Sequence, residues 1–445
     1  MISRAGLSRL VIDYGMLGVL ALLCLFFSVL TLQDQHPIGA KAAEILAEEM
    51  IAASGRPGVI IVSQENQEDQ AFSRRLEEKL RQAGFVAIRT ISGDPASIKA
   101  GFDALADSSQ GNEVIAVTQG LAPVVGAMTA LIPRLATARI VTPSPYRWPT
   151  FLLADNLRNV ANQITVIAII AIGMTMVIIT AGIDLSVGSL IALSAVITAW
   201  MIEHMGGEGA SAPVMIVAGL IGIAACAATG AFSGLMITRF RIPPFIATLA
   251  MMQVAAGIAY IISQGRPIYR IPDGFIGLGR GADPLLKIPY AVILMVVLYV
   301  AAHILMTRTT LGRYIYAVGG NMEAARLAGI RVRLILFFAY TVCGILAGLG
   351  GIIMASQLKS GAPTYGVTYE LYVIAAVVVG GTSLSGGEGH IFGTLIGAFV
   401  IGVIQNGMNL TNVESYTQKV VLGLVILGAV LLDRLKQQQF RMKGS

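Results

Sequence analysis

Residues 161–180 read ANQITVIAIIAIGMTMVIIT, twenty positions without a charge. Twenty helical residues rise about 30 Å, the thickness of a bilayer's hydrocarbon core. Inside hydrocarbon the backbone must satisfy its own polar groups, so such a run is a helix. Working outward, similar runs occupy 185–202, 213–237, 245–262, 288–306, 334–355, 371–380, 391–404 and 420–432, and one precedes them at 14–32. The reading is therefore a polytopic α-helical membrane protein of about ten transmembrane helices. Composition agrees: of 445 residues 55% are hydrophobic and only 13% charged, against about a quarter charged in soluble proteins. A wholly soluble protein, a disordered chain and a disulfide scaffold are excluded. Cys24, Cys226 and Cys343 lie inside apolar runs, and His36, His204, His303 and His390 are scattered. No metal-ligand spacing is spelled out, and no metal or bound cofactor is expected.

One stretch behaves differently. Residues 33–150 carry 13 acidic and 11 basic residues, a net −2, whereas the rest carries 12 acidic and 20 basic, a net +8. Here short apolar strands at 58–63, 85–91, 114–118 and 139–142 alternate with helices at 38–53, 69–83, 94–106 and 123–135. Strands alternating with helices of this length give a parallel sheet covered on both faces. The domain plan is then an N-terminal tip and first helix (1–32), an inserted α/β lobe (33–150), a membrane bundle (151–433) and a short tail (434–445).

Charge fixes the expected orientation. Arg4 and Arg9 precede the first apolar run. That run resembles a signal peptide, but no small-x-small cleavage site follows, so it reads as an uncleaved first helix with its N-terminus inside. Ten crossings return the C-terminus to the same side. The expected inside segments then hold 13 of the 20 basic residues outside the insert, as the positive-inside rule requires. One outside loop runs against the trend, with Arg266, Arg270, Arg280 and Lys287. The lobe, reached after one outward crossing, is expected to be extracytoplasmic.

Two features concern packing and the membrane interior. Gly230-x-x-x-Gly234, Gly344-x-x-x-Gly348 and Gly393-x-x-x-Gly397 are small-x-x-x-small faces that let helix backbones approach closely. Asp184 is a carboxylate at a junction between two runs. With Leu185, Ser186 and Val187 after it, it reads as an N-cap of the following helix. A gating role, shared with Ser186 and Gly188, is the alternative, because an acid within a membrane body is functional by default.

Five stretches carry a resemblance: AGIDLSVGSL (181–190), RPIY (266–269), TLGRYIYAVGGNMEAARLAGI (310–330), YELYVIAAVVVGGTSLSGGEG (369–389) and NGMNL (406–410). In this order they resemble the permease subunits of ribose/xylose/galactose-type ABC sugar importers. The resemblance implies a permease with no ATPase of its own, paired with a second copy of itself in the inner membrane. It also implies a cytoplasmic ABC ATPase that uses the ATP, a periplasmic sugar-binding protein, and no nucleic acid. Glu323, Ala324, Ala325 and Gly329 fall on the family's coupling loop to the ATPase; by spacing alone they would be an ordinary loop helix. The lobe resembles one half of a two-lobed sugar-binding protein, through Arg74-Arg75, QAGF (82–85) and GDPASIKAGFDAL (93–105).

A neutral, hydroxyl-rich cargo calls for amides, hydroxyls and aromatic rings along its path. Gln163, Thr165, Gln253, Tyr340, Asn406 and Asn409 are the candidates, each of which would serve equally as interhelical glue. LSGGE (384–388) imitates an ABC ATPase signature, but no Gly-Lys of a phosphate-cradling loop occurs anywhere in the sequence. It reads as a permease turn. Neither paired carboxylates nor an activated nucleophile argues for an enzyme. The competing class is a membrane-anchored sugar sensor that signals through its extracytoplasmic lobe; the full set of permease motifs favours transport.

Overall fold

The computed structural model describes residues 4–53, 55–106 and 113–443, and side chains from Gly15 to Leu431 within those limits. Arg4, Arg9, Arg434, Lys436, Arg441 and Lys443, used above for orientation, lie outside the described side chains. Two compact units are present: Leu32–Thr150, and the chain on either side of it.

Helix α1 (Arg4–Leu30) opens the membrane unit. The second unit follows as β1 (Leu32–Gln35), α2 (Gly39–Ala52), β2 (Val59–Ser63), α3 (Gln67–Gln82), β3 (Ile88–Ser92), α4 (Pro95–Ala106), β4 (Val114–Val117), α5 (Ala122–Ala130), β5 (Arg139–Val141) and β6 (Tyr146–Pro149). Strands β2 to β5 form a parallel sheet in the order β3-β2-β4-β5. Along β2, Val59 and Ile61 pack with Leu46, Phe72 and Leu76 from α2 and α3. Ile60 and Val62 pack on the other face with Ile98, Phe102 and Val125 from α4 and α5. Period-two alternation thus buries both faces, which is why β2 reads as a continuous apolar run. Helix α3 is started by Asn66, whose side chain accepts from the Asp69 amide at 2.8 Å. Glu68 and Asp69 in its first turn, and Lys79 and Arg81 in its last, complement the helix dipole.

Sequence reasoning missed β1 and β6. They pair antiparallel, Leu32 opposite Pro149 and Gln35 opposite Tyr146. LQDQ and YRWP lack an apolar alternation, so only their backbone pairing reveals them. The ribbon brings the two ends of the unit side by side. In the membrane unit the flanking residues also meet: the Phe151 amide donates to Thr31 Oγ1 at 3.1 Å. Both units therefore close at the same pair of sites, the geometry of an insertion between two consecutive helices.

The membrane unit continues with α6 (Ala154–Ile179), α7 (Val187–His204), α8 (Ala212–Arg239), α9 (Pro244–Ser263), α10 (Gly277–Arg280), α11 (Tyr290–Arg308), α12 (Thr310–Gly320), α13 (Met322–Leu327), α14 (Val332–Leu358), α15 (Tyr369–Val379), α16 (Ile391–Leu410) and α17 (Ser415–Lys443). Among the described residues seven helices are long and apolar enough to cross a membrane: α6, α7, α8, α9, α11, α14 and α16. Three shorter apolar stretches, Gly15–Leu30, Tyr369–Val379 and Ser415–Leu431, accompany them. Helix α6 is the axis of the bundle, buried at every position from Ile164 to Ile179 and packed by α11, α14, α15 and α16.

The run read as a crossing at 371–380 is a short helix here. Helix α15 has 11 residues, about 16 Å of rise, roughly half a hydrocarbon core. The residues before it follow α7 through a series of turns, the Tyr365 amide donating to Ala362 O at 3.2 Å and the Tyr369 amide to Gly366 O at 3.0 Å. A Cβ on Gly361 would lie 2.5 Å from Ala195 O, and one on Gly366 would lie 2.3 Å from Gly188 O. Gly366 also sits at φ +71°, a conformation that suits glycine. The glycine faces seen in the sequence do meet backbone. A Cβ on Gly344 of α14 would stand 2.4 Å from Cys226 O of α8, and one on Gly397 of α16 would stand 2.0 Å from Ala376 O of α15.

Candidate functional site

Helix α6 ends at Ile179 in a Schellman-type turn. The Ala181 amide donates to Ile178 O at 2.9 Å and the Gly182 amide to Val177 O at 3.0 Å. Ala181 takes φ +61°, where glycine is usual. The turn leads into a buried loop. Asp184 is wholly buried, and its Oδ1 accepts from the Ser186 amide at 2.9 Å and the Ser186 hydroxyl at 2.6 Å. Helix α7 starts one residue later at Val187, with Ser186 at its N-cap and no side-chain cap bond. The N-cap reading of Asp184 is thereby corrected: its carboxylate folds the loop onto Ser186 and does not cap α7.

Further residues close around this loop. Thr248 Oγ1 of α9 donates to Ile183 O at 3.3 Å. A Cβ on Gly182 would lie 2.3 Å from the Tyr340 hydroxyl of α14. The Cys343 thiol lies beside the Asp184 carboxylate. On Gly188, in the first turn of α7, a Cβ would lie 2.2 Å from Glu370 Oε2. Asp184, Ser186, Gly188 and Tyr340 therefore share one neighbourhood, joined by Thr248, Cys343 and Glu370, which sequence reasoning did not select. Their common signal was weak: each stands alone in its own apolar run.

The other path candidates do not converge. Gln163, Gln253 and Asn409 are exposed on the surface of this chain, and Asn409 accepts from Gln418 at 2.8 Å. Thr165 is buried and bonded back to Asn162 O at 2.6 Å. Asn406 forms a reciprocal amide pair with Asn156, at 3.0 and 2.9 Å, which pins α16 to α6. A second polar seam was also missed. Ser356 Oγ donates to Phe275 O at 2.6 Å and accepts from the Gly279 amide at 2.8 Å, while Gln357 donates to Asn162 O at 2.9 Å.

The segment holding Glu323, Ala324, Ala325 and Gly329 is built as a helical step. Thr309 Oγ1 accepts from the Gly312 amide at 3.2 Å to start α12. Asn321 then breaks the helix and restarts it, its Oδ1 accepting from the Ala324 amide at 2.9 Å. Glu323 bridges Arg326 at 2.9 Å, one turn on. Gly329 closes α13 at φ +81°, with the Ile330 amide reaching Ala325 O at 3.0 Å. Only Ala325 of this short helix is buried; Met322, Glu323, Ala324, Arg326 and Leu327 are exposed. Leu327 is 89% exposed, beside the Glu323–Arg326 ion pair.

In the second unit a cavity of about 260 Å³ is lined by His36, Ile38, Gln64, Asp69, Thr118 and Gln119. It opens at the carboxyl ends of β2 and β4, where the chain's connections turn to opposite sides of the sheet. Such switch points are where open α/β sheets receive ligands. Asp69 forms its floor, accepting from Thr118 Oγ1 at 3.3 Å, Asn66 Nδ2 at 3.1 Å and the Gln64 amide at 3.3 Å. On the helical side of this unit, the Arg75 guanidinium holds the Glu44 carboxyl below the usual range through a 2.8 Å bridge between α3 and α2.

A glycine-packed bundle of apolar helices, with a polar cluster on a buried loop and a short exposed helix between two long ones, is the build of a polytopic membrane protein. The chain belongs to the family described as the permease component of branched-chain amino acid transport systems, which matches residues 156–430. It is 46% identical to the ribose import permease protein of Escherichia coli (strain K12) over 295 residues, 65% of this chain and 88% of that protein. It is 45% identical to the ribose import permease protein of Bacillus subtilis (strain 168) over 290 residues, covering 65% and 87%. The D-allose transport system permease protein of Escherichia coli (strain K12) is 36% identical over 285 residues, 64% of this chain and 85% of that protein. No solved structure matches the chain. These relatives are transport components, and none supports the sensor alternative.

Proposed function

We propose that this chain is the permease subunit of an ABC importer that carries a sugar, or a similar polyhydroxylated small molecule, across the inner membrane. The observation that carries the reading is the 46% identity to a ribose import permease over nearly the whole of that protein. A partner ATPase supplies the ATP chemistry in the cytoplasm and docks on residues 307–333, with Glu323, Ala324, Ala325 and Gly329 at the contact. The exposure of α13 supports that docking. A periplasmic sugar-binding protein delivers cargo, and two copies of the chain form the pore. The bundle makes ten crossings with both termini cytoplasmic: the seven long helices, the apolar stretches 15–30 and 415–431, and α15 taken together with the turns that precede it. The path passes the Asp184–Tyr340 neighbourhood, with Gln163, Thr165, Gln253, Asn406 and Asn409 along its helices.

The lobe at 33–150 is periplasmic and works as a docking or gating element. A two-lobed receptor closes on its ligand and supplies contacts from both sides. The cavity over Asp69 offers contacts from one side only. The test is ribose accumulation by proteoliposomes containing this permease, the ATPase and the binding protein. Uptake that requires both partners, with no ATP hydrolysis by the permease alone, is expected. Hydrolysis by the purified chain would refute the assignment. For the lobe, calorimetric titration with a sugar panel should give no Kd tighter than about 1 mM, near −4 kcal/mol; micromolar binding would overturn the half-receptor reading.

A further inference from the structure

Three stretches far apart in sequence stack backbone on backbone at one place. They are the end of α6, the end of α12, and the loop 384–389 between α15 and α16. A Cβ on Gly319 would lie 1.7 Å from Ile179 O and 2.6 Å from the Gly387 amide. That amide donates to Ile179 O at 2.9 Å. Gly386, at φ +85°, is packed so that a Cβ would lie 2.9 Å from both Ala181 Cβ and Gly319 O. The loop is closed on itself by the Ser383 amide donating to Glu388 O at 3.1 Å. It is tied to α12 by the Tyr316 hydroxyl donating to Gly389 O at 2.7 Å. No side chain separates the three stretches, so no rotamer is available to absorb a displacement of one against another.

We infer that loop 384–389 is a positioning clamp joining α12–α13 to the end of α6, so that movement of the docking helix is passed to the Asp184 loop. The inference rests on the reading of α13 as the ATPase contact. What lies beyond the clamp fits it. Residue 179 leads within five positions to Asp184, whose Oδ2 is buried with the Cys343 thiol beside it and without an N–H or O–H donor, and the Tyr340 hydroxyl next to the loop is buried without a partner. Buried polar groups are nearly always paired. A buried hydroxyl left unpaired beside a buried carboxylate fits a loop that gains partners when it moves. Coupling of this kind needs a two-state element that both ends bias; the clamp supplies the mechanical link and the loop 180–186 the element that moves.

The test uses the complete importer in proteoliposomes, reading ribose accumulated per ATP hydrolysed. Gly319→Ala must open the clamp, and Tyr316→Phe loosens it without added bulk. Gly257→Ala, where a Cβ meets nothing within 4 Å, is the comparison. A cross-link from Ala324→Cys to the ATPase reports docking separately. Gly319→Ala should lower uptake per ATP about tenfold, a coupling loss of the usual allosteric size, and Tyr316→Phe should lower it by a smaller factor, about threefold. ATP hydrolysis and the cross-link should persist, and Gly257→Ala should match the unaltered protein. If Gly319→Ala prevents assembly, Tyr316→Phe decides alone. Unchanged uptake per ATP, or an equal fall in Gly257→Ala, overturns the clamp. Absence of the cross-link in the chain carrying Ala324→Cys alone overturns the docking reading instead.

Discussion

Replacing Gly344 by alanine tests whether α8 and α14 are held by backbone contact. The added Cβ would sit 2.4 Å from Cys226 O, whereas real Cβ atoms essentially never approach closer than 3.0 Å. The helices must part by at least the difference. A gap of about 0.5–1 Å forfeits a quarter to a half of each dispersion contact along the seam. Overpacking of this kind costs about 1–3 kcal/mol, or about 2–12 °C in Tm at the sensitivity of a domain of 150–250 residues. Gly230→Ala acts on the same seam from the other helix, with its Cβ 2.4 Å from Tyr340 O. A single separation relieves both clashes, so the double variant should melt close to the worse single one, with a coupling of about 1 kcal/mol or more. Thermal unfolding of the four proteins in the same detergent measures this. Additive losses, or a Gly344→Ala protein that melts like the parent, would refute the shared-seam argument.

Other expectations are more local. Asn156→Ala and Asn406→Ala should each destabilise by about 1–2 kcal/mol, and a double-mutant cycle should recover about 0.6–1.7 kcal/mol of interhelical hydrogen bonding; zero coupling in detergent unfolding would remove the amide pair as a tie. Glu323→Lys breaks the Arg326 bridge and reverses charge on the exposed face of α13. Uptake should fall about tenfold or more, an effect of more than 1.4 kcal/mol, while membrane insertion is unchanged; full uptake would move the ATPase contact elsewhere. In the lobe, Glu44 is held below its ordinary value by Arg75, so its contribution is present above the unfolded carboxyl's range and fades as pH falls through the folded one. The protection of α2 amides, taken relative to their intrinsic exchange rate at each pH, should therefore fall on acidification, and Glu44→Gln should flatten that dependence.

Much of this architecture was legible in the sequence because the physics behind it is local. A run such as 164–179 buries itself in any apolar surrounding, so its helical, membrane-bound character follows from its own residues. Alternation along 59–62 likewise demands two covering layers. The motif-bearing segments were legible as transport features, and Glu323 with its neighbours lies on the exposed helix of the step at Asn321. What the sequence did not disclose depends on partners supplied from far along the chain. Nothing in YELYVIAAVVV says that α15 stops at half the length of a crossing; the turns that lead along α7 decide that, through glycines that fit only against particular carbonyls. Asp184 reads as a helix cap until the loop turns it onto Ser186. The pairing of LQDQ with YRWP uses backbone groups that every residue owns. The meeting of Ile179, Gly319 and Gly387 leaves no side-chain signature at all, because a glycine's role is the absence of an obstruction, and only the tertiary fold brings the facing backbone close enough for that absence to matter.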